Sequence, residues 1–202
     1  MRTGDVKDAE AADLFRSLPT LNTERLTLRP FTMNDAEDVF AYASDPEVPR
    51  YLPWEPHATI EDSRSFLEGV LSAYKEGRPF AWALVLKQAG KVVGGAGYNS
   101  WDRPNRSAAF GYAMAKQLWG QGLMTEATKA ILGFGFDQMN LNRIWAIAEP
   151  ENIGSWRVME KCGLSYEGTM RELRFERGRF RTFKQYAILR SEWEAGLRTS
   201  PG

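Results

Sequence analysis

The 202-residue chain is poor in the residues that most often signal a metal site or a secreted fold. It holds one cysteine, Cys162, and one histidine, His57. A lone cysteine excludes an internal disulfide and fits a reducing compartment. One His with one Cys leaves no cluster for a structural or catalytic zinc, so no metal is expected. Charge of one sign is also missing, since 26 Lys+Arg face 26 Asp+Glu and the pI is about 6.6. That balance argues against a dedicated DNA or RNA binder. No stretch approaches the roughly 18 apolar residues of a membrane span. The start, Met1 to Thr20, carries Arg2, Asp5, Lys7, Asp8, Glu10 and Asp13, and so has no signal-peptide core. These absences lead to an expectation of a soluble, cytoplasmic, globular protein with no membrane partner.

The length fits one domain at about 150 residues each, with extensions. Residues 1–20 read as a polar lead-in with at most a loose helical turn around Ala9–Ser17. The domain is expected over 21–195 and a tail over 196–202. Arg25, Thr27 and Arg29 alternate with Leu26 and Leu28, a half-buried strand stopped by Pro30. Asn34-Asp35 offers an N-cap for a helix with Ala36, Val39, Phe40 and Ala43 on one face. Pro49, Pro53 and Pro56 make 48–57 an extended loop, which also holds Tyr51, Trp54 and His57. A second helix is expected over Thr59–Lys75. Strands follow over Phe80–Lys87, Lys91–Trp101 and Ser107–Ala115, an antiparallel meander joined by short turns. Then come a helix over Leu123–Met139, a strand over Arg143–Ala148 and a helix over Ile153–Lys161 ended by Gly163. A hairpin of Leu164–Phe175 and Phe180–Leu189, turning at Arg177-Gly178, closes the chain. The order is mixed α/β, a meander leading into one strand–helix–strand unit.

Chemistry is concentrated in Gln117-Leu118-Trp119-Gly120-Gln121-Gly122-Leu123-Met124-Thr125, between a strand and a helix. Its two glycines let backbone pass close to a ligand, and its amides with those of the helix start form a pocket for a pyrophosphate. A plain helix entry needing Gly for its turn is the alternative. A dinucleotide-binding turn is disfavoured, because Thr125 stands where Gly or Ala is wanted. Glu149, the acidic candidate for the ribose, also comes late, and the preceding strands form a meander.

With its companion segment Pro150-Glu151-Asn152-Ile153-Gly154-Ser155-Trp156-Arg157-Val158-Met159-Glu160-Lys161-Cys162-Gly163-Leu164, the loop resembles the GNAT superfamily of acetyl-CoA-dependent N-acetyltransferases. Gln117–Gly122 is similar to its Q/R-x-x-G-x-G/A loop. The companion is similar to the P-x-N-x-x-S-x-x-x-x-E-K-x-G-F/L helix of the RimJ/RimL-like branch. Thr23–Val48 looks like that branch's opening strand and helix, Tyr166-Glu167-Gly168 also agrees, and the likeness runs from about Leu21 to Trp193. The resemblance implies a largely antiparallel sheet with a splayed parallel pair around the coenzyme, flanked by helices. It implies acetyl transfer from acetyl-CoA to an amine, either the N-terminal α-amine of a ribosomal or other protein or a small amine such as an aminoglycoside, polyamine or amino acid. A non-catalytic acyl-CoA-binding module is a further alternative, and a homodimer stays open.

The resemblance places the pantetheine arm on backbone of Tyr112, Ala113 and Met114, with Met114 N–H as oxyanion donor. It places the pyrophosphate on Gln117 and the amides from Trp119 through Gly120, Gln121, Gly122, Leu123 and Met124 to Thr125. Asn152 is either a plain N-cap or a pantetheine contact. The family's acid Tyr aligns with Met159, which cannot donate, so the branch's Ser at Ser155 is the expected acid, against a capping role. The usual strand Glu is replaced by Ala109, and a second carboxylate position falls on Arg174. Glu172, Glu55 and His57 are the remaining base candidates, with a water chain as the other route. Trp54, Tyr98, Trp101 and Phe175 are candidate walls of the acceptor pocket. Arg171, Arg174, Arg177, Arg179, Arg181 and Lys184 make a basic hairpin edge, read as a solvated face or as a contact for the coenzyme's 3′-phosphate or an acidic partner. Cys162 reads as core.

Overall fold

The computed structural model describes residues 13–199. Eight strands form one sheet: β1 (Leu21–Asn22), β2 (Leu26–Arg29), β3 (Ala81–Leu86), β4 (Lys91–Asp102), β5 (Ser107–Met114), β6 (Arg143–Ala148), β7 (Ser165–Glu176) and β8 (Arg179–Leu189). Their order is β1-β2-β3-β4-β5-β6-β8-β7. Only β5 and β6 run parallel, and every other neighbouring pair is antiparallel. The helices are α1 (Ala36–Ala43), α2 (Ile60–Lys75), α3 (Leu123–Asp137), α4 (Ile153–Lys161) and α5 (Arg190–Thr199). This is the mixed α/β architecture that the sequence implies.

The element starts follow local chemistry. Asp62 accepts hydrogen bonds from the amides of Ala58 (2.8 Å) and Thr59 (2.9 Å), fixing the entry into α2. Asp35 stands at the N-cap of α1, but its carboxylate binds the Thr32 amide and the Arg29 guanidinium instead of a helix amide. The crossover helix α3 packs on the sheet through Phe134, whose ring meets Trp82 edge-on at 5.0 Å. At Gly135 a Cβ would stand 2.0 Å from the Tyr98 hydroxyl, so glycine there permits the close approach of α3 to β4.

Two expectations need correction. Phe15 (0 % exposed) and Leu18 (7 %) belong to the core, with Phe15 edge-on to Trp101 at 6.0 Å. The lead-in is therefore packed from residue 13, while residues 1–12 lie outside the described part. The chain also does not end its ordered elements at Leu189. Helix α5 follows, stacking Trp193 on Phe136 at 5.7 Å while Glu192 accepts the Leu189 amide at 2.8 Å. Among the described residues no helix is long and apolar enough to cross a membrane.

Candidate active site

The parallel pair is the structural cause of the site. β5 and β6 are in register only from Ser107 opposite Arg143 to Ala109 opposite Trp145. Beyond that point β5 stays with β4 as far as Met114 opposite Gly94. β6 stays with β8 as far as Ala148 opposite Lys184. The inner edges of both strands are therefore bare, and Phe110–Met114 and Ala146–Ala148 line a cavity of about 1200 Å³. Bare strand edges carry donors and acceptors that an extended ligand can meet as an added strand. The Ala115 amide donates to Val93 in β4 at 2.8 Å. Because successive amides of a strand point to opposite sides, the Met114 N–H faces the open edge. The Met114 carbonyl on that edge accepts from the Trp119 indole at 2.8 Å.

At the wide end, Gly120 (φ +75°) and Gly122 (φ +79°) take left-handed backbone that side chains resist. Gly122 is the N-cap of α3, and no side chain caps the helix. Its first amides are thus left for a ligand, a geometry suited to pyrophosphate. Arg25 braces this loop from below, donating to Glu126 (2.8 Å) and to the Gln121 carbonyl (2.9 Å). Trp119, Gly120, Gly122, Leu123, Met124 and Thr125 line the cavity. Gln117 and Gln121 do not, and their side chain and carbonyl instead close the turn on each other at 3.0 Å. Cys162, buried between α4 and α3, has its thiol pushed up to about 12 by burial. It stays protonated at neutral pH, which fits packing and not nucleophilic chemistry.

On the opposite wall Asn152 caps α4 by accepting the Ser155 amide at 3.3 Å, and both residues line the cavity. The Tyr112 hydroxyl donates to the Ser155 carbonyl at 2.9 Å and lies 3.1 Å from its Oγ. Burial holds the Tyr112 phenol above its ordinary pKa. The side chain of Tyr112, considered from the sequence only for its backbone, thus bridges β5 and α4 at the narrow end. Met159, 2 % exposed, fills the position of the missing tyrosine.

The other end of the cavity reaches residues 47–57, Phe31, Phe66 and Phe80. Trp54 and His57 line it; Tyr98, Trp101 and Phe175 do not. Tyr98 lies wholly buried under α3, its hydroxyl donating to the Ile131 carbonyl at 2.8 Å. Phe175 is 63 % exposed at the hairpin tip, edge-on to Phe180. Tyr98 follows the alternation of Gly94 and Ala96 onto the buried face of β4, ahead of a register shift between Tyr98 and Ser100. A second shift, between Met170 and Arg174, falls in β7. It leaves Glu172 at φ +51°, away from the cavity and beside Arg171 and Thr182.

The base candidates are redistributed. Glu55 is taken by Arg177. His57 contacts the Ser63 hydroxyl through Nδ1 at 2.7 Å, and burial lowers its pKa, keeping it neutral near pH 7. Glu176, two residues beyond Arg174, does line the cavity, gripped by Arg181 (2.9 Å) and Arg174 (3.5 Å). Counting by two from Arg174 along the strand would have found it. The basic hairpin is largely spent internally. Arg177 holds Glu55, and Arg179 and Arg181 hold Glu149, while Lys184 sits over the Trp156 ring at 4.4 Å. Glu149, 3 % exposed, is committed to those arginines and is not a ribose ligand.

The acetyltransferase (GNAT) domain family matches residues 25–165. The uncharacterized N-acetyltransferase p20 of Bacillus licheniformis is 32 % identical over 176 residues, 87 % of this chain and 99 % of that protein. The spermidine N(1)-acetyltransferase of Escherichia coli K12 is 25 % identical over 175 residues, 87 % and 91 %. Among solved structures, Mycobacterium smegmatis RimJ in complex with CoA-disulfide aligns with a TM-score of 0.76 at 26 % identity. That alignment covers 86 % of this chain and 88 % of that one. The split sheet, the glycine-bounded helix start and these matches together establish that the chain belongs to the GNAT family and is an acetyl-CoA-dependent acetyltransferase.

Proposed function

We propose that the chain transfers acetyl from acetyl-CoA to the N-terminal α-amine of a protein or peptide. The observation that carries the reading is the bare edge of β5, which presents the Met114 N–H to a cavity whose far end reaches Trp54, His57, Phe66 and Phe80. The RimJ/RimL-like resemblance favours a protein N-terminus and, among proteins, a ribosomal one. Acetyl-CoA supplies the acetyl group as a thioester: the neutral amine nitrogen bonds to the carbonyl carbon, and the C–S bond breaks with its electrons on sulfur. Met114 N–H meets the charge that develops on the carbonyl oxygen. Ser155 gives its hydroxyl proton to the sulfur and recovers one from the proton released by the acylated nitrogen. Tyr112 supports this role. With its single proton on the Ser155 carbonyl, it accepts the Ser155 O–H in the resting enzyme, and that O–H turns from Tyr112 to the sulfur as the thiolate forms.

A strong base is not required for this acceptor. An α-amine titrates near pH 8 and is partly neutral already, and the cavity carboxylate Glu176 is held by two arginines. Intact-mass spectrometry with acetyl-CoA tests the reading. One acetyl is expected on peptides with free N-termini and none on N-blocked peptides that contain lysine. Acetylation of spermidine or an aminoglycoside alone would move the acceptor to a small amine. Acetyl-CoA binding without transfer to any amine would leave a binding module.

A further inference from the structure

The acceptor end of the cavity gathers five rings from four places in the chain. Trp54 lies 5.6 Å from His57, and His57 lies 6.2 Å from Phe66. Phe66 in turn meets Phe31 at 5.8 Å and Phe80 at 6.2 Å. All five line the cavity. Phe31 follows β2, Trp54 and His57 come from the proline-bounded loop, Phe66 from α2, and Phe80 precedes β3. Their planes cross at angles between 52° and 86°. One pair, Phe31 and Phe66, meets edge to face and the other three are tilted, so the rings spend part of their faces on one another. The wall is therefore an apolar lining more than a cage for a cation. His57 joins it as a ring with its Nδ1 already engaged by Ser63.

Two carboxylates that line the cavity are already paired. Glu47 is held by Arg50 at 3.5 Å, and Glu176 by Arg181 and Arg174. A polyamine would have to strip several ammonium groups of water here, facing paired carboxylates and aromatic rings. An acceptor with one amine and an apolar body loses little by entering and gains burial.

Resting on the α-amine reading above, we infer that the preferred acceptor begins with a bulky apolar or aromatic residue, whose side chain sits among Trp54, His57, Phe66 and Phe80, backed by the buried Phe31. A small first residue, Ala or Ser, would leave that end of the cavity unfilled.

The test measures kcat/KM for acetyl transfer to peptides identical except for a first residue of Phe, Leu, Met, Ala or Ser. N-blocked versions, phenethylamine and spermidine complete the set. Phe and Leu peptides should exceed Ala and Ser by about 10-fold or more. Phe66→Leu and Trp54→Leu should shrink that ratio, with acetyl-CoA affinity reporting that each variant is folded. Should a variant fail to fold, the unmodified enzyme's peptide series decides by itself. Equal rates for all first residues, or a preference for Ala or Ser, would overturn the inference and leave the α-amine reading standing. Acetylation of phenethylamine with no peptide modified would keep the apolar acceptor and overturn the α-amine. Spermidine as the best substrate would overturn both.

Discussion

Ser155 and Tyr112 meet across the cleft, one from α4 and the other from β5, with 3.1 Å between their hydroxyl oxygens. If Ser155 is the acid, Ser155→Ala should lower kcat by about 10²-fold while the Kd for acetyl-CoA changes far less. Steady-state kinetics beside calorimetric titration separates the two. Tyr112→Phe keeps the ring but removes the partner that orients Ser155. A smaller loss is expected, about tenfold, in line with one hydrogen bond. Unchanged kcat in both variants would return Ser155 to packing the start of α4. The glycine loop behaves differently, because its contribution lies in backbone.

Helix α3 begins at Gly122 with φ +79° and without a side-chain cap. Any L-residue there costs about 1–2 kcal/mol from the left-handed backbone alone. Gly122→Arg adds bulk at the mouth of the amide cradle, beside an Arg25 guanidinium that a Cβ would meet at 3.6 Å. Acetyl-CoA binding should be abolished in a protein that still gives a folded circular dichroism spectrum. Retained affinity would mean that the coenzyme lies elsewhere. The hairpin of β7 and β8 acts as an element in a second way. Arg177 and Arg181 reach back to Glu55 and to the carbonyls of Pro49 and Leu52, so the last hairpin holds the acceptor loop in place. A run of basic residues that looks like a contact surface in the sequence is mostly a set of internal ties.

At the scale of the molecule, one buried ion pair joins the sheet's far side to the site. Arg181 is 1 % exposed and Glu149 3 %, and the Arg181 Nε has no partner. Removing one member of such a pair leaves the other charge buried and poorly compensated. Arg181→Met should destabilise the fold by about 3 kcal/mol or more, read as a lower urea midpoint. An unchanged midpoint would show Arg179 alone satisfying Glu149. Acid stability rests partly on Glu167, whose carboxyl is lowered to about 2 chiefly by its hydrogen bonds from Arg143, with Gln185 adding to it. Its folded pKa lies below the ordinary 4.5, so its contribution is present above that pH. It is lost as the pH falls from about 4.5 towards about 2. Glu167→Gln should flatten the fall in stability across that window, measured by denaturation at stepped pH. An identical acid profile would remove Glu167 from the account.

Much of this protein was legible along the chain. Alternation marked β2, short turns marked the meander, prolines marked the acceptor loop, and Gly120 and Gly122 marked the helix start, because each of these signals is local. Asn152 and Ser155 are singled out by the resemblance to the GNAT helix motif, whose spacing lies within one helix turn. What needed the tertiary structure was everything set by long-range registration. The register shift in β7 left Glu172 away from the cavity, since a bulge changes side-chain phase without changing composition, and the packing of α3 on β4 took Tyr98. Arg177, Arg179 and Arg181 found their carboxylates 122, 30 and 32 residues away, distances no local pattern records. The Tyr112–Ser155 contact exists only because β5 and β6 part after three paired residues and α4 crosses the gap. The sequence by itself determined which elements form and which loop can cradle a pyrophosphate; packing between elements distant in the chain decided which side chains face the reaction.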